Sequence, residues 1–394
     1  MKILYIHNDY ARPSGEEHAS GEIANLLMEH GHEVRWFKRS SAEIEGSILG
    51  QIKAFFAGVY NPSSAKALHK VLRDFQPDIV QVQNLYPLIS TSIFKTLRRY
   101  GVPVVMRCPN YRLFCPNGLC LDSRGEVCEK CWGRGRELWC VRKNCVNSFF
   151  KSLGYAVRNA YARITGDIRN GVDVFIVQSE FQKRKFESQG IPAHRIGILP
   201  GIAPVVKDVA HDVAMGDYVT FVGRVSAEKG IYEFIDAARA LPHIPFKVAG
   251  NLDASFKMPH DLPSNVEFVG FYKGDALNEL YLKSRIIVVP SKWYEGFPNV
   301  IVRAMLLKRP VITTNIGAMQ SIIDHEKNGL LVPPADSKAL TEAVNKLWDD
   351  VALCTAMGID GKAKADALYS REEIYKSLME IYEQALVNNC KTGT

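Results

Sequence analysis

The chain has 394 residues, a formal net charge of +7, 47% hydrophobic residues and 23% charged residues. That length predicts two or more domains and that balance a globular protein. No run of eighteen apolar residues occurs, so no membrane span is expected. The opening MKILYIHNDY has too short an apolar core for a signal peptide, so a cytoplasmic protein with reduced thiols is expected. The basic excess is local: Arg134, Arg136, Arg142, Lys143, Lys151, Arg158, Arg163 and Arg169 crowd one stretch. Such a stretch is either a solvated surface or a face for an anionic acceptor or membrane. No nucleic-acid module appears, so no nucleic-acid partner is expected.

Residues 2–6 read as a buried strand, followed by a loop with Pro13, Ser14 and Gly15. A helix over 16–30 carries Ile23, Leu26 and Leu27 on one face, and Gly31 caps it. Residues 33–37 form the next strand, so the chain opens as a β-α-β unit with a parallel sheet. Glu16 and Glu17 complement the start of the helix. Residues 40–70 hold Ile48, Leu49, Ile52, Phe55 and Phe56 at helical spacing and read as one amphipathic helix. Strands follow at 78–83 and 102–106. The second runs into Arg107, Cys108, Pro109, Asn110, Tyr111 and Arg112.

Seven of nine cysteines lie between Cys108 and Cys145. Cys128 and Cys131 have zinc-knuckle spacing, Cys115 precedes them, and Cys140 and Cys145 offer further sulfurs. Glycines and charges fill the intervals, so this insert lacks a core and needs a staple. A structural zinc on Cys115, Cys128, Cys131 and Cys145, packed reduced thiols, and disulfides are the three readings. A reducing compartment favours zinc over disulfides. Beyond the insert come a long helix over 149–168, a strand over 172–178, a helix stopped by Gly190, and a strand over 196–199. Pro200 to Pro204 read as a linker.

The second half opens with a strand at 218–222 and the run GRVSAEKG. Arg224 and Lys229 arrive at one strand edge, a planar fork and a mobile point charge suited to a diphosphate. Gly223 and Gly230 allow close backbone approach. Strands at 246–250 and 266–270 lead to Phe271 and Tyr272, then a helix over 277–283. The stretch 290–304, PSKWYEGFPNVIVRA, is a strand end, a turn and a helix with Pro298 in its first turn. Glu295 sits at that strand-to-helix turn, where open α/β sheets bind ligands. Gly296 and Phe297 shape the turn, and the amides of Asn299 and Val300 point out of a positive helix end. A carboxylate for sugar hydroxyls beside amides for phosphate is what a nucleotide-sugar site needs. A strand over 310–314, another at 330–332 and a helix over 339–347 follow. Ser370 and Glu373 make a capping box before Ile374, Leu378, Ile381, Tyr382 and Ala385, which share a face.

The runs GRVSAEKG and EGFPNV resemble the donor-site motifs of retaining glycosyltransferases of family 4. The resemblance extends over nearly the whole chain. A CPNG…CEKC insert like this one occurs in a subset of that family. The resemblance implies the α/β GT-B fold, two Rossmann-like parallel-sheet domains facing across a cleft. Residues 1–200, with the insert at 108–145, would be the acceptor side. Residues 205–368 would bind the donor, and 369–394 would return as a helix to the first domain. It also implies transfer of a sugar with retention from a nucleotide-diphosphate sugar, UDP favoured and GDP allowed. The acceptor would be a sugar or lipid-linked sugar hydroxyl in polysaccharide or glycolipid assembly, with peripheral membrane contact and no catalytic metal or other cofactor.

Residue by residue, Glu295 matches the first glutamate of the family's pair, which contacts the transferred sugar. The second position is Arg303, whose guanidinium donates and never accepts, so the ribose role does not carry over. Arg224 and Lys229 match the diphosphate signature, and Gly15 the glycine-rich loop near the donor phosphates. Gly223, Gly296, Phe297, Pro298, Asn299, Val300, Arg303 and Tyr272 fall at donor-side positions. Glu17, Asn84, Asn110 and Tyr111 fall on the acceptor side. Gln81 and Gln83 stand where the family has alternating histidines, and Pro109 where a histidine reaches the donor sugar. These departures leave two alternatives, a non-catalytic transferase-derived binding protein and a nucleotide-sugar 2-epimerase. Retention of Arg224 and Lys229 argues against the first. The absence of an assignable acidic and histidine set argues against the second.

Overall fold

The computed structural model describes residues 1–10, 15–44, 48–206 and 216–392. The chain divides into two units, one holding residues 1–124, 128–202 and 374–394, the other 125–127 and 203–373.

The first unit is built on six parallel strands: β1 (Lys2–Asp9), β2 (Glu33–Ser40), β3 (Ile79–Asn84), β4 (Val104–Arg107), β5 (Val174–Val177) and β6 (Ile196–Ile198). Their order is β2-β1-β3-β4-β5-β6. Central strands are buried on both faces, as parallel sheets under helices must be. Ile3, Tyr5, Ile79, Val105 and Ile176 pack with Ile23 and Leu27 of the helix Gly15–Glu29. Ile374, Leu378, Ile381, Tyr382 and Ala385 of the last helix, Arg371–Thr392, complete this core. Ser370 Oγ accepts from the Glu373 amide at that helix's start.

The second unit is a second six-stranded parallel sheet: β7 (Tyr218–Val222), β8 (Phe246–Ala249), β9 (Val266–Gly270), β10 (Ser284–Val289), β11 (Val311–Thr314) and β12 (Gly329–Val332), ordered β12-β11-β10-β7-β8-β9. The two-residue period of a strand divides β10 between both faces. Ile286 and Val288 enter one core cluster, Ile287 and Val289 the other.

Several elements differ from the sequence expectation, among them the helix Ile93–Tyr100, which was not expected. The single helix expected over 40–70 is two, Ile48–Val59 and Pro62–Phe75. Asn61 caps the second by accepting from the amides of Ser63 and Ser64, and Pro62 takes the first turn. The side chains of Ile48, Leu49 and Ile52 lie outside the described residues. The helix expected over 149–168 stops at Thr165, where Gly166 adopts a left-handed cap (φ +66°), and a short helix, Asp167–Gly171, follows. The helix Val351–Tyr369 was not foreseen.

Candidate active site

In each sheet the strand order reverses once, between β7 and β10 in the second unit and between β1 and β3 in the first. Loops leaving the carboxyl ends of such strand pairs diverge and open a crevice. Both candidate sites lie there.

At the β7/β10 edge, Gly223, Lys229, Ser291, Glu295, Phe297, Pro298, Asn299 and Val300 line a cavity of about 220 Å³. Glu295 is buried and Lys229 Nζ lies 2.6 Å from its Oε1. Ser291 Oγ and Trp293 Nε1 donate to the same oxygen at 2.7 and 3.0 Å. All three donors converge on Oε1, which leaves Oε2 for a ligand hydroxyl. The helix Asn299–Leu306 starts with no side-chain cap, so its first amides face the cavity unspent. Pro298 takes the N-cap position, φ −79°, one residue earlier than expected. Two glycines fix the approach. Gly230 has φ +77°, and a Cβ there would stand 2.0 Å from the Pro290 carbonyl oxygen. A Cβ on Gly250 would stand 1.7 Å from the Gly223 oxygen.

Three expected donor-side residues lie elsewhere. Arg224 is half exposed and its guanidinium is held by Glu228 Oε1 at 2.5 Å and Asp253 Oδ2 at 3.0 Å. Binding a diphosphate requires it to leave those partners. Arg303 is half-buried and donates to Asn278 Oδ1 rather than lining the cavity. Burial lowers its pKa from the ordinary arginine value. Tyr272 packs against Tyr218, Ala249 and Leu280. Gly296 lies in the turn between the lining residues Glu295 and Phe297. Ser291 and Trp293, which position the carboxylate, were not singled out from sequence.

At the β1/β3 edge a cavity of about 40 Å³ is lined by Glu16, Gln83, Asn84, Tyr86, Arg107, Pro109, Asn110 and Arg112, among others. Asn84 donates to the Asn8 carbonyl at 2.8 Å and accepts from Arg112 Nη1 at 3.2 Å. Asn110 Oδ1 accepts from the Arg112 amide at 3.0 Å. Two acceptor-side expectations are corrected. Tyr111 is buried with its ring 6.0 Å from that of Trp132, inside the insert. Glu17 turns back to accept from the Tyr10 amide at 2.6 Å, and its neighbour Glu16 lines the cavity. Gly15 opens its helix; Pro13 and Ser14 before it lie outside the described residues.

In the insert all cysteines are free thiols. Cys115 Sγ donates to Asn117 Oδ1 at 2.9 Å; the neighbouring Cys120 holds the Cys115 thiol down at about 7, and Cys140 lowers Cys145 in the same way. Burial pushes Cys131 up to about 12. A zinc needs four ligand atoms converging about 2.3 Å from one point. Among the described residues the close group of metal-ligating side chains is His7, Asp9 and Glu17, not cysteines. Cys131 interacts with the thiols of Cys115, Cys128 and Cys145, but among the described residues no group of three or more cysteines has its sulfurs within 4.8 Å of one another, so a zinc held by these four would require their side chains to converge. No helix among the described residues is long and apolar enough to cross a membrane.

Residues 14–201 match the model of a glycosyl transferase 4-like domain, and residues 216–350 that of glycosyl transferases group 1. An uncharacterized 42.6 kDa protein in the cps region of Klebsiella pneumoniae is 28% identical over 282 residues, 70% of this chain and 67% of its own length. The capsular polysaccharide biosynthesis glycosyltransferase CapM of Staphylococcus aureus is 28% identical over 177 residues, 43% of this chain and 46% of its own length. The match thus spans less than half of CapM. Anabaena HepE, solved in complex with UDP, superposes with a TM-score of 0.65 at 18% identity, covering 97% of this chain and all of that one. The chain belongs to the glycosyltransferase family that these two models describe, and it has the GT-B fold.

Proposed function

We propose that this chain transfers a sugar, with retention of anomeric configuration, from a uridine diphosphate sugar to an acceptor hydroxyl in polysaccharide or glycolipid assembly. The observation that carries the reading is the Lys229–Glu295 pair at 2.6 Å beneath the uncapped helix Asn299–Leu306. Oε2 of Glu295 would accept from a sugar hydroxyl. The amides of Asn299 and Val300, with Lys229, would hold the diphosphate and stabilise its charge as the anomeric carbon–oxygen bond breaks. The acceptor oxygen would then bond to the anomeric carbon on the same face, and its proton would pass to the departing phosphate oxygen. HepE with UDP and CapM in capsule synthesis support the donor and the role. Peripheral contact with an anionic membrane suits the helix Phe149–Thr165, which exposes Phe150 by 79% and Ile164 by 73% beside Lys151. Neither the scaffold nor the epimerase alternative is favoured by the relatives.

The test is product analysis with a panel of uridine diphosphate sugars and an acceptor. Release of uridine diphosphate with a product of unchanged anomeric configuration is expected. Inverted product would overturn retention, and donor consumed to a 2-epimer without acceptor would overturn transfer.

A further inference from the structure

Three buried hydrogen-bond donors in the crevice of the first unit have no partner. Arg107 closes β4 and is 2% exposed, yet its Nε and Nη1 have no hydrogen-bond partner. Only Nη2 is met, 3.3 Å from Gln178 with that amide turned to present its oxygen. Gln83, 3% exposed at the end of β3, leaves its Nε2 unpaired as well. Both residues line the 40 Å³ cavity, as does Arg112. Unmade hydrogen bonds on buried groups are costly, and more so on a charged one. Burial accordingly depresses the pKa of Arg107.

The unpartnered atoms, Arg107 Nε and Nη1 and Gln83 Nε2, are all donors, and the complement of such a set is a group that only accepts. Glu16 is the one acid in the lining, and its Oε2 is turned to the Tyr10 hydroxyl at 3.0 Å. Two guanidinium groups against one carboxylate leave the crevice with one positive charge in excess. Next to it lies a larger cavity of about 550 Å³ that shares Leu113, Asn159, Ala162 and Ile168 with it.

We propose that this crevice is an anion subsite: Arg107, Gln83 and Arg112 take a phosphate or carboxylate group carried by the acceptor. The acceptor class is then a phosphorylated or acidic saccharide. The word acceptor rests on the transferase reading; the anion site does not. Bidentate contact between a guanidinium and such a group adds geometric specificity to charge.

The experiment uses the full chain. Uridine diphosphate is titrated first, to saturate the second unit; if it fails to bind, the donor reading falls and the next titration proceeds without it. Methyl phosphate and the methyl glycoside of glucuronic acid are then titrated separately by calorimetry. One equivalent of one probe is expected to bind, which distinguishes phosphate from carboxylate. Arg107→Gln and Gln83→Glu should each weaken it at least tenfold and leave uridine diphosphate affinity within twofold. If Arg107→Gln does not fold, Gln83→Glu decides alone, since it replaces a donor by a repelling carboxylate. Failure of wild type to bind either probe, or variants that bind like wild type, would show that the orphan donors are merely hydrated and sink the proposal.

Discussion

The two crevices sit at equivalent places in their sheets, yet their polar groups are settled in opposite ways. At the β7/β10 edge Glu295, Lys229 and Arg224 each have partners: Lys229 holds Glu295, and Glu228 with Asp253 holds Arg224. At the β1/β3 edge Arg107, Gln83 and His7 keep buried atoms without partners. The first arrangement is stable while empty and exchanges its ion pairs for a ligand's. The second carries an unmet demand that only a ligand or water can satisfy. A donor site that releases its product repeatedly suits the first kind. Recognition of one charged group suits the second.

The largest difference between the two units is expected at a glycine. Gly230→Ala forces a Cβ against the Pro290 oxygen at a left-handed φ. It should cost about 3–4 kcal/mol and collapse the donor site. Gly31 in the first unit has nearly the same φ, +80°, but open space around it, so Gly31→Ala should cost only about 1 kcal/mol. Urea denaturation of both variants measures the difference, and equal losses would contradict the close approach.

Glu295→Gln comes next. It keeps the shape, removes the charge that holds Lys229, and should lower turnover about 100-fold. Folding, followed by circular dichroism, should be unaffected. Turnover within threefold of wild type would remove Glu295 from the chemistry.

Arg303→Glu is smaller and of opposite sign. Arg303 is engaged with Asn278 and makes no cavity contact, so restoring a carboxylate should gain ribose binding. About tenfold tighter nucleoside diphosphate binding, about 1.4 kcal/mol, is expected. Weaker binding would mean that Arg303 itself reaches the nucleotide.

The smallest effect belongs to the first unit and depends on pH. Burial holds the His7 imidazole below its ordinary value of 6.5, opposed by Asp9, Glu16 and Glu17 and aided by Lys38. A histidine whose pKa falls on folding contributes stability that is complete above 6.5 and lost as pH drops through the folded value. The melting temperature of wild type should therefore fall below pH 6.5 more steeply than that of His7→Asn; parallel curves would exclude His7 as the cause.

What the sequence made legible follows the same division. Lys229 and Glu295 could be read because each lies in a strand-glycine-helix run whose local pattern fixes its place. Glu295's other donors, Ser291 and Trp293, needed the turn's path to be seen. The anion crevice was illegible because its demand is defined by burial, and burial of Arg107 and Gln83 depends on neighbours far along the chain. Gln83 read from sequence only as a missing histidine. The helix Val351–Tyr369 escaped for a packing reason. Its Gly358 and Gly361 look like breakers, but a Cβ on Gly358 would stand 2.2 Å from the Lys308 oxygen, so the helix needs a glycine to pack there. The break at Asn61 and Pro62 was missed too, although a cap-proline pair marks it in the sequence.

On the transferase reading, the second unit binds a nucleoside diphosphate through Lys229 and the helix Asn299–Leu306. Thermal shift with the diphosphates of uridine, guanosine, adenosine and thymidine tests it directly. Stabilisation by uridine diphosphate, lost in Lys229→Ala, is the predicted result. No stabilisation by any of the four, or the same shift in Lys229→Ala as in wild type, would contradict it.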